Sequence, residues 1–422
     1  MSSSTAPNLI AAVDEARQWD RLMQMARLGA ITGADGEPGV NRACLTPLDR
    51  EARRLLISWA QGLGLTVTLD EIGNLFLRHE GSEADAAPVL TGSHMDTQPN
   101  GGRFDGIWGV IAALEAVQAI REAGVATRRP IEVVAWTNEE GGRFAPGCMG
   151  SMAYAHFKPS NSWDAVADPA GVTFRQALDE HLKAEADLKR RPLGGKPFAY
   201  LEAHIEQGPR LETEGKDIGV VTGIQGSRWF IVELRGETAH AGTAPLSLRK
   251  DAVQDMIRAI TALNALMTDP TDVLRFTVGQ IEVLPNTSNT VADTVRFTID
   301  FRHPDKDMLI ANGDAIEPTI RSAIKNCEVT VTERFHALPV EFDALVTDAV
   351  EDAATAQGLS SIRMPSGAFH DAQFMVPLCP SGMIFVPCRK GVSHNPAEYS
   401  TPGQLAAGAR VLAAALVELA NR

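Results

Sequence analysis

Three short stretches of this chain carry side chains whose types and spacing could do chemistry together. Gly92-Ser93-His94-Met95-Asp96-Thr97 sets an imidazole and a carboxylate two residues apart behind the apolar run Val89-Leu90-Thr91. Gly101-Gly102-Arg103-Phe104-Asp105-Gly106 sets one aspartate in a glycine-rich turn, and Asn138-Glu139-Glu140 follows a second apolar run, Ile131-Glu132-Val133-Val134-Ala135-Trp136. Imidazole nitrogen and carboxylate oxygen are the ligands that borderline divalent metals take. Strand ends place such groups at the rim of an open α/β sheet, where ligands bind. Two more histidines stand beyond expected strands: His204, after a strand over 198–202, and His394, after a strand ending at Val386. Four such groups converging on one rim could hold a metal. Five, with Asp105 able to bridge, could hold two at the separation of hydrolytic dinuclear sites, roughly 3.5–4 Å. The pattern points to a metal-dependent hydrolase.

The elements that must position these groups follow from hydrophobic periodicity. Up to residue 223, apolar strands alternate with amphipathic helices, the signature of a largely parallel α/β sheet. The clearest helix covers 106–123, with Ile107, Val110, Ile111, Leu114, Val117 and Ile120 on one stripe and Gly124 at the expected C-cap. Asp105 therefore sits at that helix's positive end. Val67–Leu69 and Leu75–Leu77 flank a turn and read as a hairpin. Residues 224–339 change rhythm: strand 228–235, helix 251–267, strands 273–283 and 290–302, helix 304–325 and strand 328–335 give a βαββαβ order, the ferredoxin-like pattern. Residues 340–422 return to α/β patterning, with strand 383–386 and helix 402–419 rejoining the first sheet. The expected fold is thus a discontinuous catalytic domain, 1–223 and 340–422, with a mixed sheet flanked by helices and an inserted α+β domain, 224–339.

Composition narrows the class. At 422 residues the chain exceeds the size at which single cores stop growing, so two domains are expected. A net charge of -14 with no long Lys/Arg run argues against a nucleic-acid surface. The five cysteines, Cys44, Cys148, Cys327, Cys379 and Cys388, are odd in number and scattered, which suits a reducing cytoplasm. Residues 1–20 show no secretory pattern, and apart from a serine-rich N-terminal tip no low-complexity tract is seen. No apolar run is read as long enough to span a bilayer, so no membrane partner is expected.

The motifs GSHMDT (92–97), GGRFDG (101–106), TNEEGGRF (137–144), HIEQGP (204–209), AHAGT (239–243), NTSNTVAD (286–293), DFRH (300–303) and SHNPAE (393–398) stand in one order along the chain. In that set the sequence resembles the M20 family of metallopeptidases and amidohydrolases. Within it, the chain is most similar to the hydantoinase/carbamoylase branch of N-carbamoyl-L-amino acid hydrolases, β-ureidopropionases and allantoate amidohydrolases. HIEQGP separates this branch from the peptidases, which place a carboxylate ligand there.

The resemblance implies two divalent metal ions per chain, Zn²⁺ first, with Mn²⁺, Co²⁺ and Ni²⁺ also accepted by such ligands. It implies His94, Asp105 and His204 on one metal and Asp105, Glu140 and His394 on the other, with Asp105 bridging. Asp96 would orient the His94 ring. Glu139 would be the general base that takes a proton from water and returns it to the leaving nitrogen. The insert would be a lid and dimerisation domain. From it, Arg302 would grip the substrate carboxylate, while Asn289 and His240 would donate to the oxyanion, His240 from the neighbouring subunit of a homodimer. Gln207 matches a substrate-binding position. The branch usually reads SGAGHDA where this chain reads Ser366-Gly367-Ala368-Phe369-His370-Asp371-Ala372. Gly367 and Phe369 would line the substrate pocket, and a ring in place of glycine would reshape it. Phe369 turning into the core is the other reading, and Trp108 adds bulk of unassigned direction.

The implied reaction is hydrolysis of the linear C–N bond of a small molecule, an N-carbamoyl amino acid, to the amino acid, carbon dioxide and ammonia. Allantoate, another ureide or an N-acyl amino acid is the alternative substrate on the same scaffold. A catalytically silent binding protein is the remaining alternative. Taken singly, each residue has an ordinary reading: Arg302 as a surface charge, His240 as a loop histidine, Glu139 as a rim carboxylate.

Overall fold

In a computed structural model that describes residues 5–422, four apolar runs become strands with both faces covered. They are β1 (Val89–His94), β2 (Ile131–Trp136), β3 (Ala199–Ile205) and β4 (Ser381–Val386), and every residue in them is buried. Burial on both faces explains why these strands read as continuous apolar runs rather than alternating ones. The serine-rich tip, residues 2–4, lies outside the described residues. The chain divides into two units: residues up to Thr222 with Glu341–Arg422, and Gly223–Val340.

The first unit is built on a ten-stranded sheet with the neighbouring order β4-β3-β1-β2 at its centre. These four are mutually parallel, with Phe385 opposite His204, Thr91 opposite Leu201 and His94 opposite Trp136. Parallel strands deliver all their C-terminal ends to one edge. His94, His204 and the loops after β2 and β4 therefore emerge on the same rim. Antiparallel pairings of the flanking strands make the sheet mixed, as expected of the catalytic domain. Leu75–His79 runs against β2, Thr66–Leu69 against Leu75–His79, and Ile218–Ile224 against β4. The hairpin is responsible on one side. Its turn is closed by the Asp70 carboxylate, which accepts from the backbone N–H groups of Ile72 and Asn74 and from the Asn74 amide. So short a connection can only return the chain antiparallel.

Helix α1 (Ile107–Glu122) covers the central strands, with its residues from Ile107 to Ile120 buried. Trp108 settles here: its indole is fully buried, and a Cβ on Gly408 would come within 2.9 Å of it. Helix α2 (Pro402–Ala420) opens with a Thr401/Gln404 capping box and proline in its first turn. Contrary to the expectation from sequence, α2 is long and apolar enough to cross a bilayer, with mean hydropathy 1.3. It is instead 72% buried within the protein, its Leu405, Leu412 and Leu416 in the same core as α1. A helix apolar around most of its circumference is what the interior of a large domain requires.

The second unit carries strands Gly226–Arg235, Arg275–Leu284, Thr294–His303 and Glu328–Ala337 and helices Ala252–Leu266 and Lys306–Ala323. Each strand is antiparallel to its neighbours, and the strand Gly226–Arg235 lies between Thr294–His303 and Glu328–Ala337. One face packs Val232, Leu234, Phe297, Ile299 and Phe301 against helix residues such as Leu263 and Ile316. The single strand expected over 290–302 is two pieces. Thr290–Val291 pairs with Ala239–His240 in a separate ribbon, and only Thr294–His303 joins the main sheet. Ala292 and Asp293 break the run because their carbonyls are taken by the N–H groups of Ala252 and Gly236.

Candidate metal centre

His94 is the last residue of β1. Its Nδ1 lies 3.0 Å from the backbone carbonyl of Asp96. A carbonyl can only accept, so Nδ1 carries the proton and the Nε2 lone pair is free for a cation. Nε2 points at Asp105 Oδ1, 3.6 Å away, and Glu139 Oε2, 3.3 Å away. His204 stands on β3 itself, not beyond it. Its Nδ1 is 2.9 Å from the Ile205 carbonyl and its Nε2 is 3.1 Å from Asp105 Oδ1. Both rings are oriented by backbone, and both present Nε2 to one carboxylate oxygen.

Asp105 sits in the turn before α1. Gly106, the N-cap, has φ 64, and a Cβ there would fall 2.2 Å from the His94 ring, so only glycine fits. Asp105 Oδ1 faces His94 and His204, while Oδ2 lies 3.4 Å from His394 Nε2. His394 Nε2 in turn is 3.3 Å from Glu140 Oε2, and Gln98 steadies that carboxylate from 2.9 Å. Two clusters result, His94/Asp105/His204 and Asp105/Glu140/His394, each with ligand atoms within 4.8 Å of one another. The first is buried. The second opens to solvent, since the His394 side chain is 50% exposed.

The expected role of Asp96 changes in detail. Its carboxylate is 3.7 Å from His94 Nδ1, farther than its own carbonyl, and accepts the backbone N–H groups of Glu139 and Glu140 at 3.3 and 3.2 Å. It anchors the glutamate turn while the neighbouring carbonyl aims the imidazole. Glu139 belongs to neither cluster and reaches the Cys148 thiol at 3.6 Å with Oε1.

Electrostatics show a donor set that lacks positive charge. Burial pushes Glu139 well above the ordinary carboxylate range. Burial and the nearby Asp105 charge push Glu140 up to about 7. In the metal-free protein Asp105 is held well below its usual value: burial opposes this, but the His204, His394 and His94 rings, protonated on the nitrogens that a cation would otherwise occupy, outweigh it. The Asp105 hydrogen bond lifts His394 to about 9. Carboxylates crowded this closely need positive charge between them. Two cations bound by these imidazole and carboxylate donors would supply it, and the set suits Zn²⁺ or its neighbours.

The remaining expected residues divide. Gln207, with φ 56, sends its amide Nε2 to Asp105 Oδ2 at 2.8 Å, while its Oε1 is buried without a hydrogen-bond partner. Gly367 is exposed and Phe369 only partly buried, so the ring has not gone into the core. His240, Asn289 and Arg302 all belong to the second unit. The ribbon puts His240 opposite Thr290, and the Ala241 N–H donates to the Asn289 carbonyl at 3.0 Å. Arg302 Nε and Nη2 lie 3.0 and 2.8 Å from the Asp300 carboxylate two residues earlier.

Three residues beside the clusters are not singled out by sequence. His370 packs its ring 4.5 Å from that of His204. Ser393 Oγ lies 2.8 Å from Asp105 Oδ2, and buried Glu398 accepts the backbone N–H groups of Phe104 and Asp105. All three lie within quoted motifs, but their partners are far away in the chain, and spacing alone cannot reveal them.

Comparison with known proteins places this geometry in context. The family profile described as peptidase family M20/M25/M40 matches residues 90–418. The N-carbamoyl-L-amino-acid amidohydrolase of Rhizobium meliloti is 40% identical over 421 residues, covering 99% of each chain. The allantoate amidohydrolase of Bacillus subtilis is 34% identical over 400 residues, 92% of this chain and 94% of that protein. A hydantoinase/carbamoylase family amidase from Burkholderia multivorans superposes with a TM-score of 0.89 at 41% identity, covering 97% of this chain and 98% of the other.

Proposed function

This chain belongs to peptidase family M20/M25/M40, and from that premise we propose that it hydrolyses the ureido group of an N-carbamoyl-L-amino acid at a dinuclear metal site. It is a metal-dependent hydrolase of linear amide C–N bonds. The observation that carries the dinuclear reading is the position of Asp105, one oxygen toward His94 and His204 and the other toward His394. His94, Asp105 and His204 would hold one cation, and Asp105, Glu140 and His394 the other.

Bound there, the cations would lower the pKa of a shared water and polarise the scissile carbonyl. Glu139 has its Oε2 beside the first cluster and no ligand role. It accepts the water's proton on that oxygen and delivers it to the departing nitrogen. The Gln207 amide stays on Asp105 and faces its unpartnered Oε1 toward substrate. His240 and Asn289 donate to the developing oxyanion, and the Arg302 guanidinium pairs with the substrate carboxylate. His240 acts on the partner's site in a homodimer formed through residues 224–339, which serve as lid and contact surface. The free thiols suit a cytoplasmic enzyme. Zn²⁺ is the first choice of metal, with Mn²⁺, Co²⁺ or Ni²⁺ as substitutes.

Allantoate is the second reading, favoured by the Bacillus subtilis relative. Ammonia release from a panel of N-carbamoyl-L-amino acids, their D-enantiomers, allantoate and N-acetyl amino acids separates the two. Highest kcat/KM on an N-carbamoyl-L-amino acid is expected; highest kcat/KM on allantoate would install the second reading.

A further inference from the structure

The bridging aspartate hangs from a turn that has no regular secondary structure to hold it. Glu398, about 290 residues later, is 1% exposed and puts its Oε1 2.9 Å from the Phe104 N–H and 3.0 Å from the Asp105 N–H. The fit is tight. A Cβ on Gly102 would fall 2.1 Å from that same oxygen, so the glycine of the turn is the space the carboxylate occupies. The hexapeptide that carries Glu398 also carries Ser393, whose hydroxyl lies 2.8 Å from Asp105 Oδ2 and 3.1 Å from Glu398 Oε2. It carries His394 as well, with φ 53, whose Nε2 is 3.4 Å from the same Asp105 oxygen.

We propose that Glu398 is a positioning residue for the bridging carboxylate, clamping the Phe104–Asp105 backbone so that both Asp105 oxygens face their cations. The inference rests on the dinuclear reading above. Its physical content is a coupling. Asp105 serves both clusters, so loosening its backbone weakens both metals together. Were Glu398 merely the anchor of the His394 loop, its loss would weaken only the second metal. Groups that orient ligands typically change metal affinity by about 10–100-fold when removed.

Titration of the metal-free protein with Co²⁺, followed by visible absorption and by metal content, tests this. Wild type is expected to take up two Co²⁺ per chain. Glu398→Ala is expected to weaken both by about 10–100-fold and to alter the Co²⁺ absorption of both. Glu398→Gln, which keeps a carbonyl oxygen for the two N–H groups, should restore most of the affinity. If Glu398→Ala does not fold, Glu398→Asp is judged by the same criterion, because a side chain one methylene shorter withdraws the oxygen from both N–H groups. Unchanged Co²⁺ affinities in a folded variant, or loss of one ion alone, would overturn the inference and leave the dinuclear reading intact. Wild type holding fewer than two Co²⁺ would overturn that reading, and this one with it.

Discussion

Glu139 and Glu140 are neighbours in the chain and face different histidines: Glu139 Oε2 lies 3.3 Å from His94 Nε2, and Glu140 Oε2 lies 3.3 Å from His394 Nε2. Asn138, in the left-handed region at φ 56, turns the chain off the end of β2, and the Asp96 carboxylate receives both glutamate N–H groups. With the backbone pinned on one side, the two carboxylates diverge. On the proposed mechanism one binds metal and the other moves a proton.

Removal of Asp105 should empty both metal positions together. Asp105→Ala is expected to retain well under one metal per chain after dialysis, while His394→Ala keeps the first and loses the second. Metal content by atomic emission, with folding checked by circular dichroism, decides it. Retention of one tightly held ion by Asp105→Ala would show that the aspartate does not bridge.

Gly106→Ala should cost both stability and metal. A side chain at φ 64 is strained by about 1–3 kcal/mol, and its Cβ would displace the His94 ring. A lowered unfolding midpoint together with weaker binding of the His94 metal is expected. A drop in stability with unchanged metal affinity would mean that His94 does not need its present placement.

Acid should destabilise the metal-free protein through a group outside the metal site. Burial, helped by the charge of Arg53, depresses His181 to about 3. Its ordinary value is near 6.5, so between about 6.5 and 3 the unfolded chain binds a proton that the folded chain refuses. Stability from this group is present above that window and falls as pH drops through it, by up to about 1.4 kcal/mol per pH unit. Urea midpoints between pH 7 and 4 should fall less steeply in His181→Phe. Parallel slopes for wild type and variant would remove His181 from the account.

If Arg302 grips the substrate carboxylate as proposed, Arg302→Lys should raise KM by roughly tenfold or more, since an ammonium cannot reproduce a two-bond fork. The structure adds a detail: Asp300 already holds that guanidinium through Nε and Nη2. Asp300→Asn should therefore also raise KM, by less. A substrate analogue with a neutral amide in place of its carboxylate should show neither effect. Equal losses on both substrates would give Arg302 a structural role.

What could be read from the sequence was what short range determines. The hairpin at 66–79, the helix after Asp105 and the βαββαβ order of residues 226–337 each announce themselves through turn chemistry or a local period. The histidine and carboxylate motifs were legible because chemistry restricts residue type at strand ends. Contacts that close over long separations were not legible. Nothing near Gly102 signals that Glu398 fills the place of its Cβ. Nothing near Asp96 signals that its carbonyl, rather than its carboxylate, is closest to His94. The split of 290–302 into two strands depends on carbonyls claimed by distant N–H groups, which hydrophobic alternation does not encode. The apolar run of α2 is ambiguous for a related reason: a core helix and a membrane span share a composition, and only packing separates them.

Glu139 is proposed to move the proton without holding a metal. Metal content and turnover of Glu139→Gln, measured on one preparation, test it most directly. Two metals per chain with kcat lowered by about 10²–10⁴ is the predicted result. Loss of a metal, or turnover within a few-fold of wild type with both metals present, would contradict it.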